Sequence, residues 1–217
     1  MAISFDAATD GGLASAATSL TYAHTVGTGS NRILFVGTWG DTTDVITGAT
    51  YAGVNMTLIG KVQCPADRWA YLFYLVNPAS GANNVVVSAS TSIVIASQCA
   101  SYAGVKQSGQ PDASSTNTAA AVASYSQSVT TVAANCWAIL FIRESAGRTT
   151  TAGANTVIRE DSTNGAHLYD TGSPLATPGT DTMNISAFQT ASPNVGGIMA
   201  SFSPAVATSG GNFLAFM

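Results

Sequence analysis

Few side chains in this 217-residue chain can perform acid–base or nucleophilic chemistry. The chain has two histidines, His24 and His167, eleven carboxylates and many serines. A Ser-His-Asp arrangement can be assembled from them on paper, but the sequence has no Gly-x-Ser-x-Gly elbow to present a strained nucleophile. Catalysis requires a cluster of groups with matched roles, and no such cluster stands out. We therefore expect a protein that is not an enzyme and has no catalytic residues.

Neighbouring carboxylates are the remaining candidates for a chemical site. The pairs are Asp6 with Asp10, Asp41 with Asp44, and Glu160 with Asp161. A glycosidase needs two carboxyl groups about 5–9.5 Å apart across a cleft, which the sequence neither supports nor excludes. Calcium prefers oxygen ligands, but the spacing of these acids does not match a calcium-binding loop. Since phosphate-binding, dinucleotide-binding and His/Cys metal motifs are also missing from the sequence, we expect solvated loop acids and neither a metal nor a cofactor.

The three cysteines are widely spaced. Cys64, Cys99 and Cys136 are an odd number at long separations, which makes a poor disulfide framework and a poor zinc site. Cys99 and Cys136 lie in or beside strand-like segments, where a cysteine usually behaves as a small buried hydrophobe. We expect that role for them.

Aromatic side chains are more typical of a core than of a binding platform here. Trp39, Trp69 and Trp137 all stand beside apolar neighbours. Alternation along Arg68–Val76 places Trp69 and every second residue after it on one face. The other face is also apolar, which favours a strand covered on both sides. An exposed aromatic ring that stacks on a sugar is the alternative.

Composition excludes two classes of partner. Only 8% of the residues are charged, against about 25% in an ordinary globular domain, and the net charge is -4. Nucleic-acid binding requires clustered Lys and Arg, whereas the seven basic residues are scattered. The apolar runs are of strand length, far short of the roughly 20 residues of a membrane-spanning helix. The first residues also lack the basic start and apolar core of a signal peptide.

Short apolar runs separated by turn residues predict an all-β fold. We expect about a dozen strands, spaced as in an antiparallel sandwich. No stretch of ten residues shows a convincing helical period. The clearest strands are 32–39, 45–51, 56–62, 68–76, 85–87, 93–102, 137–143, 154–160, 166–170, 182–188 and 197–202. Residues 52–55 are expected to join two of them as a hairpin, and Asn164-Gly165 is a strong turn signal.

The chain divides into a predicted domain and a tail. Residues 1–204 are expected to form a single β-sandwich domain. Residues 205–217 begin with a linker rich in Gly, Ser and Thr and end in an apolar segment, Phe213–Met217. Exposed apolar ends are costly, so we expect this segment to dock. Either it folds back as an edge strand on its own domain, or it inserts into a neighbour by strand addition. The docking side chains would be Phe213, Leu214, Phe216 and Met217.

Several segments together resemble a known group of domains. They are Asn31-Arg32-Ile33-Leu34-Phe35-Val36-Gly37, Ile46 to Thr57 with Tyr51-Ala52-Gly53-Val54, Ala70 to Pro78, Tyr102-Ala103-Gly104-Val105, and Met199 to Pro204. This pattern is similar to that of jelly-roll-like β-sandwich domains of bacteriophage virion proteins and secreted bacterial proteins. The similarity covers most of residues 16–204. It implies a two-sheet, jelly-roll-like antiparallel β-sandwich. The shared positions are packing and turn positions, so no functional residue is carried over.

The resemblance and the composition together favour a non-enzymatic structural protein of a phage particle. The expected roles are a capsid decoration, head-fibre or tail-surface subunit that contacts other virion subunits and copies of itself. Assembly in the host cytoplasm and location in the virion follow from this expectation and from the lack of a signal peptide. The alternative is an extracellular carbohydrate-binding module, and a polysaccharide hydrolase ranks third.

Overall fold

The computed structural model describes residues 1–189 and 192–206, and this part of the chain contains fifteen β-strands and no helix. The all-β, antiparallel sandwich expected from the sequence is confirmed. The strands are β1 (Ser4–Val26), β2 (Ile33–Trp39), β3 (Ile46–Tyr51), β4 (Val54–Asn55), β5 (Thr57–Gln63), β6 (Trp69–Val76), β7 (Gly81–Ala103), β8 (Ala113–Ala119), β9 (Tyr125–Thr130), β10 (Trp137–Glu144), β11 (Thr150–Ala152), β12 (Val157–Asp161), β13 (Ala166–Asp170), β14 (Thr180–Phe188) and β15 (Val195–Phe202).

Two 23-residue strands organise the first sheet. β1 pairs with β7 from Ser4 opposite Ala103 to Val26 opposite Gly81, with four register shifts along the way. The other side of β7 pairs with β2 in its second half and with β3 in its first half. The resulting seven-stranded sheet bends into two halves: one contains the pairing of residues 4–17 with residues 93–103, and the other the pairing of residues 19–26 with residues 81–88. They face each other, because Tyr22 and His24 of β1 contact Ser97 and Ser101 of β7 across the bend.

The main sandwich is formed by this sheet and a five-stranded sheet with the order β12-β13-β10-β15-β8. The core between them contains Phe35, Leu72 and Tyr102 on one side and Phe141 and Phe202 on the other. A second core fills the space between the two halves of the first sheet. β2, β10 and β15 are buried along their whole length, which explains why they read as continuous apolar runs.

A third sheet covers the side of the five-stranded sheet that is turned away from the first sheet. It has the order β11-β14-β9. Val129, Met183 and Ile185 point inward from it and pack on Leu140 and Met199. The sandwich therefore carries an additional layer with its own apolar core. This layer was not expected from the sequence as a separate sheet.

The predicted faces of β6 are the observed ones. Tyr71 and Phe73 pack in the core between the two halves of the first sheet. Ala70 and Leu72 pack in the core of the main sandwich. The interpretation of this strand as covered on both sides is thus confirmed.

The predicted hairpin at residues 52–55 is only half right. Ala52 and Gly53 have φ values of 50° and 77°, as in the tight turns that join hairpin strands. The turn joins β3 to the short β4. The following strand, β5, pairs with β6 instead, and this pairing lets Ile59 and Val62 pack against the main core. The segments 85–87 and 93–102, predicted as two strands, belong to the single strand β7.

Candidate functional site

His24 lies in a buried polar network that joins the two halves of the first sheet. Its Nδ1 is 2.9 Å from Thr9 Oγ1 and its Nε2 is 3.1 Å from Ser101 Oγ. Ser101 Oγ donates to Asp6 Oδ2 at 2.7 Å. Burial lowers the pKa of His24 to about 4, so the imidazole is neutral at pH 7.

The connectivity of this network is not that of a catalytic triad. In a triad the carboxylate orients the histidine and stabilises its charged form. Here Asp6 accepts from Ser101, and the second ring nitrogen of His24 faces Thr9. Since the His24 imidazole is only 1% exposed, a substrate has no access to it. The network is suited to holding the two halves of the sheet in register.

His167 occupies a second buried cluster, between two carboxylates. Its Nδ1 is 2.6 Å from Asp161 Oδ1, and its Nε2 is 3.5 Å from Glu144 Oε1. Burial alone would lower the pKa of His167, but the hydrogen bond to Asp161 and the charges of Asp161 and Glu144 outweigh it and raise that pKa. The same contacts lower the pKa of both carboxyls. His167 and Glu144 are fully buried, and Glu144 also accepts from Ala146 N and Arg148 N, so this internal histidine–carboxylate cluster holds the loop after β10.

The carboxylate pairs of the sequence serve as local hydrogen-bond acceptors. Asp6 accepts from Gly27 N and Asp10 from Gly12 N. Asp44 pairs with Lys61 and accepts from Tyr71 Oη. Asp41 accepts from Thr42 N. Within residues 1–189 and 192–206, no group of three or more His, Cys, Asp and Glu side chains is placed to hold a metal ion.

The tryptophans and cysteines mostly belong to the interior. Trp39 and Trp137 are 1% and 7% exposed. Trp69 is partly exposed, with Lys61 Nζ 5.7 Å from its ring centroid. All three cysteines are free and buried, and burial raises their thiol pKa values to about 12. Their thiols therefore remain protonated and unreactive at neutral pH.

The exposed surface is as poor in charge as the sequence is. All eighteen charged side chains lie within the described residues, and only six of them are exposed. Those six are Asp6, Asp10, Asp44, Lys61, Lys106 and Arg148. Four of the six are engaged in the contacts described above. The rest of the charge is wholly or partly buried, as in the ion pairs Arg143–Asp67 and Arg159–Asp170.

The third sheet presents an outward surface of hydroxyl and amide side chains, which we call the outer face. It comprises Ser126, Ser128, Thr130, Thr151, Thr180, Thr182, Asn184 and Ser186. Several of these side chains bond to one another or to the sheet: Ser128 Oγ is 2.7 Å from Thr182 Oγ1, and Ser186 Oγ donates to Thr151 O. The outer face carries no charged side chain. Hydroxyl and amide groups can contact either a protein or a glycan.

Sequence reasoning did not locate the outer face, although one signal was present. The segment Tyr125-Ser126-Gln127-Ser128-Val129-Thr130 alternates buried and exposed residues, which is the period of a half-buried strand. Its inward positions include Gln127, which bonds to Tyr125 Oη and Ser115 O. Because the buried position 127 holds a glutamine and not an apolar residue, the alternation of apolar and polar residues along this segment is incomplete.

An apolar pocket of about 650 Å³ lies at the end of the sandwich where the chain begins. We call it the terminal pocket. Ile3, Trp137 and Ala205 line it and are largely buried, whereas Met1 and Val206 line it with 57% and 83% of their surfaces exposed. Backbone hydrogen bonds hold the segments together: Ala205 N donates to Gly104 O, and Met1 N donates to Ala205 O.

The predicted docking residues Phe213, Leu214, Phe216 and Met217 lie outside the described residues. Val206, which lines the terminal pocket, is the last described residue before them. No helix in the described part of the chain is long and apolar enough to cross a membrane.

Comparison with known proteins gives little further information. No protein-family model matches the sequence, and no curated protein matches it. Among solved structures, the chain is similar to the major capsid protein P2 of bacteriophage PM2, with a TM-score of 0.30 and 7% sequence identity. The alignment covers 95% of this chain and 99% of that one. At this TM-score the similarity carries no argument about the function of the chain.

Proposed function

We propose that the chain is a non-enzymatic structural subunit of a phage particle, which acts through contacts with other virion subunits and with copies of itself. The finer possibilities are a capsid decoration, head-fibre or tail-surface subunit. The observation that carries the proposal is the surface, on which only six of eighteen charged side chains are exposed.

A surface of this kind suits permanent contact. Freely diffusing domains usually keep about 25–35% of their surface residues charged for solubility. The centres of protein interfaces, by contrast, are depleted of charge. Burying Ser, Thr and Asn side chains in a contact avoids the large cost of stripping water from unpaired charges. In symmetric particles, such a surface can be repeated in every subunit contact.

The buried histidines support the same proposal, because their contacts are structural. The His24 and His167 networks connect strands and loops, and both imidazoles are sealed from solvent. They stabilise a fold whose exposed side chains are mostly neutral. A stable fold with few surface charges suits a subunit of a fixed shell.

The proposal is tested by purifying particles from a culture that produces the protein and counting this chain by mass spectrometry. Absolute quantification with isotope-labelled peptides would be done on both the particle fraction and the soluble fraction. We expect a fixed, high copy number per particle. Recovery of the chain only as free soluble protein would contradict the proposal. Stabilisation of that soluble protein by glycans in a thermal-shift screen would then favour a carbohydrate-binding module.

A further inference from the structure

The terminal pocket combines an apolar lining with two strongly exposed apolar side chains. Ten of its thirteen lining residues are apolar. Two of them, Met1 and Val206, are among the most exposed large hydrophobic side chains of the described residues. A volume of about 650 Å³ lies within the range of ligand-binding pockets in proteins, about 300–1,000 Å³. An apolar pocket with an apolar rim is matched to an apolar occupant.

The sequence supplies such an occupant next to the pocket. Val206 belongs to the lining, and Ala207-Thr208-Ser209-Gly210-Gly211-Asn212 separates it from Phe213. Six residues extend over at most about 20 Å. Because the linker begins next to Val206 in the pocket lining, this length allows the segment after it to reach back to the pocket.

We propose that the terminal pocket is the docking site of the same chain's Phe213–Met217 segment. The two phenylalanines and Leu214 would contact Trp137, Ile3 and the alanines of the 133–134 loop. The proposal goes beyond the function proposed above and does not depend on it, since it concerns the isolated chain.

The short linker favours the chain's own segment over that of a second copy. A connection of only six residues holds the tethered segment at a high effective concentration, of the order of millimolar. A second copy would have to bring its pocket within about 20 Å of the first chain's Val206, since six residues extend no further. A dilute subunit therefore fills its own pocket. Exchange between copies would require a close, fixed arrangement of the two.

A disulfide-trapping experiment tests the proposal. The double variant Ala134→Cys/Ala215→Cys places one thiol in the exposed part of the pocket lining and one in the tail, without removing an apolar anchor. The native thiols should not compete, because burial raises their pKa values to about 12. The matched control is Ala146→Cys/Ala215→Cys. Ala146 is also exposed, but it follows β10, at the opposite end of that strand from Trp137.

An equal mixture of unlabelled and 15N-labelled protein identifies which chain supplies the segment. After mild oxidation, we expect the pocket variant to form a disulfide at least tenfold faster than the control. The linked peptides should be entirely light or entirely heavy. Mixed light–heavy peptides would show that a second copy fills the pocket and would overturn the assignment. Equal rates in the two variants would show that the segment does not dock there.

A second variant tests the contact without a cross-link. Ala134→Glu places a charge in the pocket lining at an exposed position, where it should not disturb folding. We expect chymotrypsin to cleave the tail about tenfold faster than in the unsubstituted chain, because cleavage follows the population of the undocked form. Ala146→Glu should leave the rate unchanged. An unchanged rate in Ala134→Glu would overturn the proposal independently of any oxidation chemistry.

Discussion

His24 and His167 are both buried, yet their surroundings shift their pKa values in opposite directions. His24 faces two hydroxyl groups, and burial lowers its pKa to about 4. His167 lies between two carboxylates that raise its pKa. The sequence itself does not reveal these partners. Glu144 and Asp161 reach His167 only through the pairing of β10, β12 and β13.

The same substitution at the two histidines should therefore have different costs. His167→Gln removes a positive charge from between Asp161 and Glu144, and breaking a buried ion pair in this way typically costs about 3–5 kcal/mol. His24→Gln removes only neutral hydrogen bonds, each worth about 1 kcal/mol. Urea unfolding at pH 7 would measure both. Equal costs would show that His167 is not charged in the folded protein.

His24 should also make the protein sensitive to mild acid. A histidine whose folded pKa is lowered contributes full stability above its unfolded pKa of about 6.5. That contribution is lost as pH falls from 6.5 towards the folded value of about 4, because only the unfolded state takes up the proton. Between pH 7 and pH 5 we expect a loss of about 2 kcal/mol through this residue.

The corresponding measurement is urea unfolding of the unsubstituted chain and of His24→Gln at both pH values. The stability difference between pH 7 and pH 5 should shrink by about 2 kcal/mol in the variant. His167 is present in both chains, so its own pH dependence, which lies on the alkaline side because its folded pKa is raised, cancels in the comparison. If the variant keeps the full difference, His24 is not the sensitive group.

At the scale of the elements, apolar patterning predicted those strands whose faces are both covered. β2, β6, β10 and β15 appear in the sequence as apolar runs and in the structure as buried strands. β8 and β9 were not predicted, because their outward residues are Ser, Thr and Asn and their inward positions include polar groups. The continuity of β1 and β7 was also missed, since Gly, Ser and Ala at their bends are indistinguishable in sequence from loop residues.

One glycine shows how closely the two main sheets approach. A Cβ atom at Gly37 of β2 would overlap the ring of Phe141 on β10. Gly37→Ala should therefore destabilise the protein by about 1–3 kcal/mol through overpacking. Gly60→Ala on β5 is the control, because a Cβ there would meet its nearest neighbour at 3.5 Å. Thermal unfolding would compare the two variants.

The cause can be verified by making room for the new methyl group. Phe141→Leu alone should cost stability by leaving a cavity. Combined with Gly37→Ala, it should cost less than the sum of the two single changes, because the methyl group fills part of that space. Strict additivity would mean that the cost of Gly37→Ala has another source.

At the scale of the whole molecule, composition predicted a surface poor in charge but not its arrangement. The outer face is assembled from β9, β11 and β14, which are separated by many residues in sequence. The terminal pocket is likewise assembled from residues 1–3, 133–135 and 203–206, together with Lys106, Trp137 and Pro174. Local sequence patterns do not show that such distant segments lie together in the fold, so neither surface could be predicted from the sequence.

The proposed function and the outer face together lead to a prediction about subunit contacts. If the outer face is a contact surface, two lysines introduced by Ser126→Lys/Ser128→Lys would have to be buried without partners, which is expensive. Both positions are exposed in the free chain, so folding should be unaffected. We expect at least a tenfold drop in the copy number of the variant per particle.

The control is Thr91→Lys/Ser92→Lys, which adds the same charge at exposed positions of the bend in β7 and should be incorporated normally. Competition between variant and unsubstituted chain in one culture, counted by mass spectrometry, measures the ratio directly. Equal loss in both variants would indicate that added charge is unfavourable anywhere on the surface, whereas normal incorporation of the outer-face variant would exclude that face from the contacts.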